Sequence, residues 1–186
     1  MFRTPPLGRL TLLVGIAIAA TGLVNISVFP IMDQGLDVPA SMLGLLVSVQ
    51  GIGANAGGAT SARAIGRWGE VPTFAAGMAG LGLGIVPLMA SSLAAALAGM
   101  AVIGFSVTWL VVAFVTLRQC LTPARLQGRT AAAALMAMNL PQTVMTFVGA
   151  GLLAVVDYRL LVLATVIMLL GAAIVAGAGA DRKPHR

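Results

Sequence analysis

The chain has 186 residues, of which 59% are hydrophobic and only 9% charged, and its mean hydropathy is +1.03. Soluble chains carry roughly 25% charged residues, so charges this sparse cannot cover a surface in water and the solvent around most of this chain is lipid. The net charge of +6 does not indicate nucleic acid, because the basic residues fall in short groups between apolar runs instead of gathering on one patch.

About 20 mostly apolar residues are needed to cross a bilayer core as a helix, and six runs qualify. The first, about 10–29, is too long for the ~7–15-residue core of a cleaved signal and lacks a small-x-small site, so it reads as a retained span. Pro30 is expected to stop it. The second, about 41–62, starts after Pro39 and ends at Arg63. The third and fourth, about 71–90 and 93–117, are nearly continuous, with a tight turn expected at Ser91 and Ser92 after Pro87. The fifth, about 130–156, is interrupted by Pro141, and the sixth, about 160–178, precedes a charged tail at 179–186. The fold class is therefore all-α membrane, a single domain built as a six-transmembrane-helix bundle.

With six spans the connections alternate sides, and ten of the eleven Lys and Arg residues fall on one side, with only Arg159 on the other. Basic residues mark the cytoplasmic side, so both termini are expected in the cytoplasm of a cell whose inner (plasma) membrane holds the chain. No span carries a charge at its middle. That argues against a proton relay within this chain and excludes a voltage sensor.

Catalysis and metal binding find little material. The one cysteine, Cys120, excludes an internal disulfide and a multi-cysteine metal site. The one histidine, His185, is in the tail, so neither a Ser-His-Asp nor a Cys-His arrangement is available inside the spans. No enzyme, metal or cofactor is expected. The ten methionines are scattered among the spans and read as packing, not as a metal path.

Polar side chains in lipid must find partners, and so face the bundle interior or a wet cavity. The amides are Asn25 in the first span, Gln50 and Asn55 in the second, and Asn139 and Gln142 in the fifth; Gln119 closes the fourth. The third and sixth spans have none, which suggests that spans one, two, four and five surround something polar. Asn139, Gln142, Thr143 and Thr146 recur at i, i+3, i+4 and i+7, on one helix face. Pro141 among them leaves a backbone carbonyl without its donor. The stripe reads either as cavity lining or as hydrogen-bonding glue between helices, the latter contributing roughly 0.6–2 kcal/mol per contact. The candidate cavity residues are Asn25, Gln50, Asn55, Asn139, Gln142 and Thr143.

Residues 51–69, GIGANAGGATSARAIGRWG, combine two signals. Gly53, Gly57 and Ser61 step by four and form a small-residue stripe where another backbone comes close; Gly80 and Gly84 repeat the pattern in the third span. Arg63 and Arg67 mark the exit from the membrane, as a cytoplasmic gate or as lipid-headgroup anchors. Residues 51–56 also fit a GxGxx(G/A) nucleotide loop with Glu70 downstream. That motif needs a strand and a tight turn in a soluble βαβ unit, and here it sits in a continuous apolar run.

Three stretches resemble the major facilitator superfamily of transporters, in its C-terminal six-helix half, helices seven to twelve. Residues 44–58, GLLVSVQGIGANAGG, are similar to the eighth helix; Arg63 to Gly69, RAIGRWG, resembles the second copy of the family's cytoplasmic signature loop; and 119–129, QCLTPARLQGR, resembles the connection between helices ten and eleven. The resemblance covers about residues 7–178. It implies spans one, two, four and five around a central cavity, with three and six outside, in agreement with the amide pattern. Ala62 stands where the fuller signature has an acid, so the arginines lack that partner, and many relatives have a glycine near Met145 and Thr146.

The resemblance implies transport of a small, neutral or amphipathic solute, with efflux as the direction. The family's alternating access rocks one six-helix half against the other. The chain is thus expected to be incomplete alone, either truncated or paired with a second six-helix half or, as a homodimer, with another copy. The rival expectation is a non-transporting remnant or helix-binding scaffold.

Overall fold

The structure is a computed structural model that describes residues 5–153 and 155–178. Arg3, the charged tail and His185 lie outside the described residues. Among the described residues are six α-helices: α1 (Pro5–Pro30), α2 (Leu43–Trp68), α3 (Glu70–Ile85), α4 (Leu93–Leu121), α5 (Gln127–Leu153) and α6 (Tyr158–Ala178). Each is long and apolar enough to cross a membrane, alone or with the turn that extends it, and no strand occurs among the described residues. The match to a nucleotide loop lies wholly inside α2.

Helix ends follow from local chemistry. Gly69 alone joins α2 to α3: its φ of 85° is open to glycine at little cost, its N–H closes α2 on the Ile65 carbonyl at 2.8 Å, and its carbonyl accepts the Thr73 hydroxyl at 2.7 Å. Pro87 shapes the exit from α3, where the chain tightens into a 3-10 turn at Val86–Met89 before the bend into α4. Thr122, held extended by Pro123, ends α4.

Two prolines behave differently from a simple stop. Pro30 keeps helical angles (φ −58°, ψ −37°), and the chain runs on into a π turn at Ile31–Gly35, where the Leu36 N–H reaches the Ile31 carbonyl at 2.9 Å. A proline fixes a helix-compatible φ while withholding a donor, and the wider turn absorbs that loss. Ile31 and Met32 are buried there, which holds the turn in place. Pro141 likewise does not interrupt α5, which is helical throughout.

The helices pack as an arc in the order α5, α1, α6, α3, α4, α2. Its core lies along α1, α3, α4 and α6, where Val14, Phe74, Met78, Ile85, Val162 and Leu169 are almost fully buried. The ends of the arc are α2 and α5, and they are lightly covered. The buried residues of α2 form one stripe, Leu46, Gly53, Gly57, Ser61 and Ala64; those of α5 are only Ala134 and Gly149.

Glycines set the closeness of these contacts. A Cβ at Gly57 would lie 2.6 Å from the Phe105 carbonyl oxygen, and one at Gly53 would strike the backbone of Ala101, so α2 and α4 meet backbone to backbone. In α3, Gly84 and Gly99 of α4 face each other equally closely, while Gly80 faces the Ser106 side chain. On the other flank a Cβ at Gly22 of α1 would lie 2.8 Å from the Gln142 carbonyl, and one at Gly15 would lie 3.2 Å from that of Ala137. Ala137 is the residue four before Pro141. The carbonyl left without its N–H is therefore the one that α1 approaches through a glycine.

Candidate functional site: an apolar cavity with three free amides

A cavity of about 550 Å³ lies inside the arc, walled by α1, α2, α3 and α4 and touched by α5 only through Gln142. It is not closed, since Asn25, Phe29, Val47 and Val111 in its wall are exposed. Most of the wall is hydrocarbon. Ile103, Val107, Leu110 and Val111 of α4 recur on one helix face, and Leu81, Ile85 and Leu88 form the contribution of α3 and the turn after it. No residue of α6 lines it. The third span thus reaches further into the cavity than its lack of amides suggested, using apolar side chains.

Four polar side chains interrupt this wall: Thr21, Asn25, Gln50 and Gln142. Thr21 is satisfied locally, donating to the Ile18 carbonyl at 2.7 Å. Asn25, Gln50 and Gln142 make no side-chain hydrogen bond to any described residue. Each brings an N–H donor pair and a carbonyl acceptor, carried by three different helices into one apolar space. That combination suits a solute with hydrogen-bonding groups on an apolar frame: the wall takes up the apolar area and the amides orient the polar groups. No described group in the wall carries a charge.

The other three cavity candidates, Asn55, Asn139 and Thr143, lie elsewhere. Asn55 is exposed on α2 and donates back to the Gly51 carbonyl at 3.0 Å. Asn139 is exposed on α5 and donates to the Leu135 carbonyl at 2.9 Å, and Thr143 donates to the Asn139 carbonyl at 2.9 Å. None of the three belongs to the cavity wall. They occupy the uncovered faces of the two helices at the ends of the arc, and Asn55 and Asn139 each fall near the middle of their helix.

Arg63 and Arg67 are exposed in the last turns of α2 and pair with no described acid. Arg118, Arg125 and Arg129 sit at the same end of the bundle, and Arg159 at the opposite end. The last turns of α2 pack on an aromatic cluster that sequence reasoning passed over. Trp109 of α4 donates its indole N–H to Thr60 at 3.0 Å and packs against Phe105 at 4.8 Å and edge-on against Trp68 at 5.7 Å. The spacing of Phe105 and Trp109, one turn apart on a helix, was the signal available for it.

Cys120 is exposed, and among the described residues no group of histidine, cysteine and acidic side chains is placed to hold a metal.

Six membrane-length helices, four of which wall a cavity of hydrocarbon and uncharged amides, make this a multi-pass membrane protein. The sequence profile of the Major Facilitator Superfamily matches residues 10–186, and the chain belongs to that family. Its members move solutes across membranes. Comparison with curated proteins and with solved structures returned no match.

Proposed function

We propose that this six-helix unit moves a small neutral or amphipathic solute outward across the cell membrane, with both termini cytoplasmic, and that a second six-helix unit closes its open side. The carrying observation is the cavity itself: Asn25, Gln50 and Gln142, without side-chain partners among the described residues, in a wall that is uncharged and, Thr21 apart, otherwise apolar. A charged substrate would find no counter-charge there, and a purely apolar one would leave three amides unsatisfied. The second unit, another half or another copy, would pack on the exposed faces of α2 and α5. There Gly44 and Gly51 have open space beside them and Asn55 and Asn139 face outward at mid-depth. Helices in lipid associate through such small and amide residues.

The test is solute efflux from cells or vesicles holding this chain alone, compared with the chain co-expressed with a candidate partner half. The proposal expects transport only when a second unit is present, and flux about tenfold lower in Q50L and in Q142L. Transport by the chain as a monomer would refute the need for a partner. The rival reading, a helix-binding scaffold that moves nothing, draws on the same open stripe of α2. Binding of partner helices with no solute flux in any combination would favour it.

A further inference from the structure

The cavity has a length and a polarity profile that restrict what fills it. Met32 after α1, Leu46 of α2 and Ala96 of α4 pack together at one end of the bundle, so depth counts along each helix from there. On α1 the wall runs from Met32 down to Ala17, and on α4 it reaches Val111; at about 1.5 Å per residue, both limits lie about 22 Å below that cluster. Spread over this length, a volume of about 550 Å³ leaves a mean section of about 25 Å². Carbon atoms in contact stand about 3.5–4.0 Å apart, so one chain fits across the cavity and two do not.

The amides occupy the middle of that length. Gln50 is one turn below Leu46, about 6 Å, and is the deepest wall residue of α2. Asn25 is about 10 Å below Met32 along α1. Gln142 of α5 meets α1 at Gly22, whose missing Cβ would lie 2.8 Å from the Gln142 carbonyl oxygen, and Gly22 is about 15 Å below Met32. Above this belt the wall is Ile31, Met32, Leu43 and Leu88; below it are Ala17, Ile18, Leu110 and Val111. Each apolar end is about 6–7 Å long. Phe29, in the last turn of α1, is the one aromatic ring among the described wall residues, so the deeper wall offers a flat cation neither a stacking face nor a counter-charge.

We propose that the cavity takes an elongated, uncharged molecule with its hydrogen-bonding group in the middle and an apolar segment at each end, of the class of N-alkyl amides. This ligand class rests on reading the cavity as the solute site, and not on the direction of movement. A central amide puts its N–H and carbonyl among Asn25, Gln50 and Gln142, each of which offers both donors and an acceptor. The two alkyl arms fill the aliphatic ends. A chain with its polar group at one terminus fits worse. With that group at the belt, the whole chain lies on one side, where the wall extends only about 6–7 Å. With the chain spread over the full length, the group sits among aliphatic side chains and the three amides stay unpaired, which costs more than the hydrogen bonds contribute.

N-hexylhexanamide and dodecanamide contain the same atoms and differ in where the amide sits. Membrane vesicles from cells with the full chain, and from cells without it, are titrated with radiolabelled N-hexylhexanamide; the difference is binding to the protein. The expected result is saturable binding that unlabelled N-hexylhexanamide displaces at about tenfold lower concentration than dodecanamide does, on the order of one hydrogen bond. Hexyl hexanoate, which lacks the N–H donor, displaces it less well, and the aromatic cation tetraphenylphosphonium does not displace it. Q50L and Q142L each weaken binding about tenfold; I174A, on the exposed face of α6, leaves it unchanged. The isomer comparison uses the unaltered protein, so it stands even where a variant fails to fold. Displacement by dodecanamide at the same or lower concentration, displacement by tetraphenylphosphonium, absence of saturable binding, or binding unaltered in both Q50L and Q142L would overturn this ligand class. Flux that depends on Gln50 and Gln142 with no preference between the isomers refutes the ligand class alone. Isomer-selective binding without flux in any combination refutes transport alone.

Discussion

Single glycines on α2 divide into two kinds, and substitution separates them. Gly57 is packed against Phe105, so G57V forces the helices apart and should destabilise the bundle by about 1–3 kcal/mol. Thermal melting in detergent would show this as a lower midpoint. Gly51 faces open space inside α2, so G51A should leave the melting midpoint of the single unit unchanged or slightly higher, alanine being the better helix former, while weakening association with a second unit. Equal destabilisation by both would contradict the packing described. In the cavity, Q50L or Q142L removes a free amide without adding volume to a tight contact; each should lower flux of a polar solute about tenfold, on the order of one hydrogen bond of about 1–2 kcal/mol. The close-packed role of Gly53, Gly57 and Ser61 was legible because small residues at four-residue spacing have one common use in lipid. The split among the amides was not, since Asn139 and Gln142 are only about 60° apart on the helix and the edge of the cavity falls between them.

At the scale of elements, proline was the least legible signal. Both Pro30 and Pro141 read as breaks, yet α1 continues into a π turn and α5 runs unbroken. Lipid explains the difference: an unwound segment there exposes several backbone groups without water, whereas a proline inside a helix leaves only one carbonyl short. For Ala137 that carbonyl faces Gly15. P141A restores the donor and should stabilise α5 by about 1–3 kcal/mol, since proline is disfavoured in helix interiors by about 3 kcal/mol. If α5 flexes at this point during transport, the same variant turns over more slowly. A melting midpoint no higher than that of the parent would show that the freed carbonyl is already fully satisfied. The apolar cavity face of α4 could not be found in advance, because Ile103, Val107 and Leu110 lie on a helix that is apolar all round and offers no contrast between faces.

At the scale of the molecule, six spans and family membership were readable from run length and from three short stretches, because the bilayer fixes the length of a helix and the alternation of sides. The order of helices in the arc was not readable, because in lipid it is set by close contacts such as Gly22 with Gln142, which leave no hydropathy pattern. That order puts α2 and α5 at its ends and the cavity inside it. The most direct test is water access to single cysteines introduced at positions 25, 50 and 142 in a Cys120→Ser background, with the chain in its native membrane and position 174, on an exposed apolar face of α6, as the control. A membrane-impermeant maleimide should label all three cavity positions and leave 174 unlabelled, and the solute should slow the labelling. Cavity positions as inert as 174 would contradict the account.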